Sequence, residues 1–146
     1  MGAARLTRQE PIVAHWEASI AHDAKGMRQW IADDVVVRDH RKPGLFDGLS
    51  ASEWVESLRV HFELACDVYG EVIGVFAVND CGRVELDRIF GTTADGVAFE
   101  NVFLRVTVTD GAVIRHAEFF DATDRARALA RFAELCAASS AARAAG

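Results

Sequence analysis

From Asp67 onward the chain reads as four long β-rich runs divided by tight turns, and no other feature constrains its fold as much. The runs are Val68 to Val78, Arg83 to Thr93, Val97 to Thr109 and Ala112 to Phe120. Asn79-Asp80-Cys81-Gly82, Ala94-Asp95-Gly96 and Asp110-Gly111 separate them, and each is turn chemistry that joins antiparallel neighbours. A meander of this kind has an apolar face that something must cover. The cover comes from helical pattern on either side. Between Glu10 and Ala32, Ile12, Trp16, Ile20, Met27, Trp30 and Ile31 recur at helical spacing around the polar stretch 22–26, which predicts two successive helices. Asp33-Asp34 ends that pattern, and Val35-Val36-Val37 opens a first strand running to about His40. Lys42-Pro43-Gly44 and Asp47-Gly48 are turns. Ser50 or Ser52 caps a third helix with Trp54, Leu58 and Phe62 on its buried face. Asp121 to Ala138 is a last helix with Leu129, Phe132 and Leu135 on one stripe. The expectation is one α+β domain over residues 1–138, with 139–146 a frayed tail.

Composition bears on what such a domain can do. A chain of 146 residues that is 51% hydrophobic holds one core of ordinary size. Its net charge of -6, with 16 basic residues spread along the chain, leaves no cationic stripe for a phosphate backbone, so nucleic acid is not an expected partner. No apolar run approaches the roughly 20 residues that span a bilayer, and MGAARLTRQE lacks the apolar centre of a secretion signal. The expected location is cytoplasmic. Cys66, Cys81 and Cys136 are odd in number and far apart, which reads as reduced, mostly buried thiols rather than a disulfide framework or metal pair.

Two stretches, AHDAKGMRQWIADDVVVRDH and FLRVTVTDGAVIRHAEFFDATDRARALARFAEL, resemble the SnoaL-like branch of the nuclear-transport-factor-2-like (NTF2-like) superfamily. The resemblance implies a cone: a curved antiparallel sheet covered by the N-terminal helices, with a C-terminal helix, around one small-molecule cavity. Ketosteroid isomerases of that superfamily keep a general-base carboxylate on the first strand, and the matching position is Asp39. The same alignment puts His15 where they carry a tyrosine donor, and Val102 or Leu104 where they keep a protonated aspartic acid. Limonene epoxide hydrolase matches TDGAVIRHAEFFD and puts Glu118 and Asp87 at its two catalytic carboxylates, while its arginine position falls at Glu85. The fold hosts isomerases, cyclases, hydrolases and non-catalytic modules, so fold alone does not choose among them.

Alternation on the last strand places His116, Glu118 and Phe120 on one face, which both templates turn inward. There a dry environment would raise the Glu118 pKa, with His116 partly offsetting it, and the pair could shuttle a proton. The other reading turns Arg115, Ala117 and Phe119 inward. Asp39 continues the row of Val35 and Val37 toward the cavity mouth, as catalytic base or as a structural partner of Arg41. His15 is a pocket donor or a core histidine; Trp16, Trp54, Phe62 and Phe120 are pocket walls or core aromatics. Val102 and Leu104 would line the cavity. Asp87 is a substrate contact on the hydrolase template, although hydrophobicity alone points Glu85 and Asp87 outward. His116-x-Glu118 has a spacing used in metal sites, but no third ligand is evident, so neither metal nor cofactor is expected. Phe99 and Phe103 would then lie on the outer face and form a homodimer contact. The resulting expectation is a cofactor-independent enzyme using acid-base chemistry on a small apolar organic molecule, with isomerisation, cyclisation or epoxide-type ring opening as its reaction classes. The alternative is a non-catalytic ligand-binding or dimerisation module.

Overall fold

The computed structural model of the protein describes residues 2–145, with side chains from Arg8 onward. Helix α1 (Gly2–Ile20) and the short α2 (Ala24–Arg28) lead into β1 (Ile31–Asp39) and α3 (Ala51–Leu64). The meander follows as β2 (Tyr69–Asn79), β3 (Gly82–Thr92), β4 (Ala98–Thr109) and β5 (Ile114–Asp121), closed by α4 (Arg125–Ala145). β1 begins four residues before its valines because Ile31 already pairs with Ile114. α4 runs on past Ala138 to Ala145.

Local chemistry explains the boundaries. Ser50 is the cap of α3: its hydroxyl accepts from the Glu53 N–H while the Glu53 carboxylate accepts from the Ser50 N–H, a reciprocal box. Ser50→Ala is expected to lower stability by about 1 kcal/mol in urea unfolding, the usual loss for a cap of this kind. In the β2–β3 turn, Asn79 Oδ1 accepts from the N–H groups of Cys81 and Gly82 at 2.8 and 3.2 Å. Gly82 is required there, since a Cβ would lie 1.8 Å from the Thr107 carbonyl oxygen.

The strands form one sheet in the order β1-β5-β4-β3-β2, with β1 parallel to β5 and every other pair antiparallel. One face carries Val35, Val37, Phe103, Ala117 and Phe119 and packs against Ile12, Met27, Trp54 and Val55 of the first three helices. The other carries Val84, Leu104, Val106, Val108 and Phe120 and packs against Ala128 and Phe132 of α4.

The α+β class stands, but the cone does not. The sheet is open, with β1 and β2 as its edges, and it is neither closed nor strongly curled. A curled sheet leaves one convex side to solvent. Here both rows of β4 are buried, so helices cover both faces. The same two-sided burial corrects the expected strand faces. Val102 and Leu104 belong to the α4 side, whereas Phe103 faces α1 and α3. The outer apolar patch expected from Phe99 and Phe103 is therefore not a surface: both line the internal cavity. Alternation defines two rows on a strand but not which helix each row meets.

Candidate functional site

A cavity of about 730 Å³ lies between α1, α3 and the sheet. Its walls are mostly aromatic: Trp16 from α1, Trp54 and Phe62 from α3, Phe46 from the loop after β1, and Phe99 and Phe103 from β4. Met27, Leu58 and Ile89 complete the apolar lining, and Lys42, Leu45, His61 and Asp95 also border it. This is the general make-up of a small-molecule site, apolar walls with few polar groups.

One group of charged side chains lies on the sheet. Cross-strand pairing sets Glu85 opposite Arg105 and Asp87 opposite Phe103, so two acidic residues and one arginine share the cavity-side face. Arg105 donates to Glu85 Oε1 through Nε at 3.1 Å and Nη2 at 2.6 Å. The same Nε lies 3.1 Å from Asp87 Oδ2 in an ion-pair contact, yet neither Asp87 oxygen accepts a hydrogen bond. Asp87 is fully buried and stands between Ile89 and Phe103, both of which line the cavity. Burial pushes its carboxyl up to about 7; Arg105 pulls it down and Glu85 pushes it up. One cation shared by two carboxyls does not repay the loss of water from both.

Beside this group sits His15, 2% exposed, with its ring centroid 5.3 Å from that of Trp54. Burial, and then the positive charge of Arg105, lower the His15 pKa to about 3, so its ring is neutral. His15 Nε2 and Trp54 Nε1 are buried without a hydrogen-bond partner, as is Thr107 Oγ1. Arg105 stacks over Trp16 with its guanidinium carbon 5.0 Å from the ring centroid. Unpartnered nitrogens on His15 and Trp54 beside an unbonded Asp87 carboxyl are uncommon in a protein interior and single this place out as a candidate site.

The other sequence candidates lie elsewhere. Asp39 is on the cavity side of β1 but does not line the cavity. It is saturated: Arg41 donates twice through its side chain, at 2.9 and 2.8 Å, and the N–H groups of Arg41 and Phe46 donate at 3.1 and 3.2 Å. Burial alone would raise its pKa, but the Arg41 bonds and charge and the two backbone donors hold it below the usual carboxylate range. The clamp fixes Arg41 over the rings of Phe46, Phe103 and Phe119.

Glu118 and His116 face α4, across the sheet from the cavity, and so does Phe120. The shared cavity expected for Asp39, His116 and Glu118 is not formed; Ala117 and Phe119 are the inward residues of β5. Nor is Glu118 on a solvated face. It is fully buried and accepts from His40 Nε2 and His116 Nε2, each at 2.6 Å, and from Arg131 Nε at 2.8 Å. Arg127 donates to His40 Nδ1 at 3.2 Å, which leaves the His40 proton on Nε2, pointing at Glu118. Burial pushes the Glu118 pKa up, and these three donors more than reverse it, to about 2. The expected upward shift is thus corrected in sign. Among the described residues no three His, Cys, Asp or Glu side chains are grouped to hold a metal ion, and no helix is long and apolar enough to cross a membrane.

Of the expected lining residues, His15, Trp16, Trp54 and Phe62 border the cavity, Asp87 stands behind its floor, and Val102, Leu104 and Phe120 are not in it. Sequence reasoning missed Arg105 and the inward turn of Glu85. A signal existed. Counting outward from the Ala94-Asp95-Gly96 turn pairs Glu85 with Arg105, and opposite charges facing each other on adjacent strands make an inward polar row affordable.

No family model matches the chain, and no curated protein matches it. Solved structures do. BvnE pinacolase from Penicillium brevicompactum superposes with a TM-score of 0.71 at 16% identity, over 94% of this chain and 96% of that one. A Mycobacterium tuberculosis protein in complex with estradiol-17beta-hemisuccinate gives 0.63 at 15% identity, over 75% of this chain and 88% of that one. An NTF2-like protein of unknown function from Burkholderia pseudomallei gives 0.62 at 17% identity, covering 83% and 95% of the two chains. These likenesses show a general fold relationship to such proteins.

Proposed function

We propose that this protein is a cofactor-independent enzyme that transfers protons on a small, largely apolar organic molecule held in the aromatic cavity, with Asp87 as the proton-carrying carboxyl. The observation that carries the reading is the state of Asp87: a buried acid pushed up to about 7, with both oxygens free of hydrogen bonds. A general acid or base works best when its pKa lies near the working pH. Asp39 and Glu118 are held as anions by four and three donors, which suits them to structural roles.

In this reading Arg105, tied to Glu85 by two hydrogen bonds, sets the position and charge balance of Asp87. Because the Asp87 oxygens lie beneath the cavity floor, the carboxyl acts through a bridging water. His15, neutral, and Trp54, a donor only, present their unpartnered nitrogens to an oxygen of the ligand. Structural neighbours at 15–16% identity include the pinacolase and the steroid-ester complex, which supports a small-molecule role for the cavity.

Carboxyl-carbon NMR tests the reading without any substrate. One aspartate should titrate near neutrality and vanish from the spectrum of Asp87→Asn; a wild-type protein whose carboxyls all titrate below pH 5 would sink it. Trp54→Phe keeps the aromatic wall and removes the indole N–H. It should weaken binding of an oxygen-bearing ligand by roughly 10-fold, the worth of one hydrogen bond, measured by calorimetry. The alternative, a ligand-binding module without catalysis, shares the Trp54 result but predicts ligand binding with no turnover in either wild type or Asp87→Asn.

A further inference from the structure

Outside the cavity, two of the cysteines lie near each other, and the proposed chemistry leaves them unused. Cys81, in the β2–β3 turn, is 4% exposed and belongs to the core cluster beneath α4. Cys136, on α4, is half-buried and packs against that cluster. The side chain of Asn79 holds the two together. Its Oδ1 accepts from the Cys81 N–H at 2.8 Å and from the Cys136 thiol at 3.8 Å, while its Nδ2 lies 3.8 Å from Cys136 Sγ. A side-chain hydrogen bond from Cys136 bears on the Cys81 thiol, so the two sulfurs are neighbours beneath α4.

We propose that Cys81 and Cys136 form a redox-modification site, at which a small-molecule disulfide oxidises the pair to an intramolecular disulfide that staples α4 to the β2–β3 hairpin. Cys136 is the entry point because it is the more accessible thiol. Its thiolate attacks one sulfur of the small disulfide, forming a mixed disulfide and releasing one small thiolate. Cys81 then gives up its proton and attacks the Cys136 sulfur, expelling the second small thiolate. The protein loses two hydrogens and the small disulfide gains them as two thiols.

The environment orders these steps. Burial, followed by the hydrogen bond and charge of Cys136, pushes the Cys81 thiol up to about 12, so Cys81 does not start the exchange. Once Cys136 is in a mixed disulfide it is no longer an ionisable thiol, and its opposition to Cys81 ionisation ends. Cys66 supplies an internal contrast. It is exposed, near the end of α3, and its thiol is directed to the Glu63 carbonyl at 3.9 Å rather than to another thiol.

The staple would close a long stretch of chain, from the hairpin turn to α4, and so restrict the unfolded state strongly. Incubation of the full chain with oxidised glutathione, followed by non-reducing peptide mapping, tests the proposal. The expected map shows Cys81 joined to Cys136 and Cys66 carrying glutathione alone. Tm should rise by roughly 5–15 °C and return with dithiothreitol. Cys136→Ser, on the accessible side of the pair, should abolish the Tm rise while leaving Cys66 modification intact. A wild-type map in which Cys136 stops at the glutathione adduct, stays unmodified, or pairs with Cys66 would overturn the proposal, and it needs no variant to fold.

Discussion

Asp87→Asn is expected to lower kcat/KM by about 100-fold or more while leaving ligand affinity within a modest factor, because the amide keeps the carboxyl's shape but neither gives nor takes its proton. The same variant should gain stability at neutral and alkaline pH. The folded-state pKa of Asp87 is raised, to about 7, above the ordinary 3.8 of the unfolded chain. Below pH 4 both states hold the proton and the residue is neutral in its effect. As pH rises from 4 to 7 the unfolded chain releases that proton first, and the cost to the fold grows to about 4 kcal/mol. Urea unfolding at pH 8 should therefore find Asp87→Asn more stable than wild type, with the gain shrinking toward pH 4. Lost turnover with gained stability is the pattern of a strained functional group. Unchanged turnover in this variant would remove Asp87 from the chemistry, and ligand binding without turnover in the wild type would leave the cavity as a binding site only.

Glu118→Gln is expected to cost about 3 kcal/mol or more at pH 7 and to leave ligand binding intact. Gln cannot balance the charge of Arg131, and its amide nitrogen cannot accept from the donors that converge on this position, so removing the anion from one side of a buried cluster is costly. The pH dependence runs opposite to that of Asp87. Glu118 is depressed from 4.5 to about 2, so its contribution is present in full above the unfolded value and fades as pH falls from 4.5 toward 2. Acid titration of unfolding free energy should lose about one proton's worth of slope in the variant across that window. An identical slope in both proteins would show that Glu118 is not held as an anion. A large drop in ligand affinity would show that the α4 face acts on the cavity, which the geometry gives no reason to expect.

The sequence by itself determined the elements and their order. The β2 to β5 runs, their turns, the paired N-terminal helices and the apolar stripe of α4 follow from backbone requirements and side-chain period, which are local quantities. It offered His15, Trp16, Trp54, Phe62 and Phe120 as cavity walls or core residues, since apolar patterning does not tell the two apart, and only the packed layers put the first four beside the cavity and Phe120 under α4. What only the tertiary structure decided was which face of each strand met which layer. On β4 the Val102-Leu104-Val106-Val108 row is the more apolar and reads as the inward one, yet both rows are buried from Phe103 on, and α4 rather than the cavity covers the apolar row. That choice carried His116 and Glu118 away from the cavity and brought Glu85 and Asp87 to it. Hydrophobicity had placed the acidic pair outside, as it should for a strand read alone. Arg105, brought opposite Glu85 by the register of the next strand, supplies the charge that lets them stay inside. A buried carboxyl's state depends on partners distant in sequence, and those partners are chosen only when the layers close.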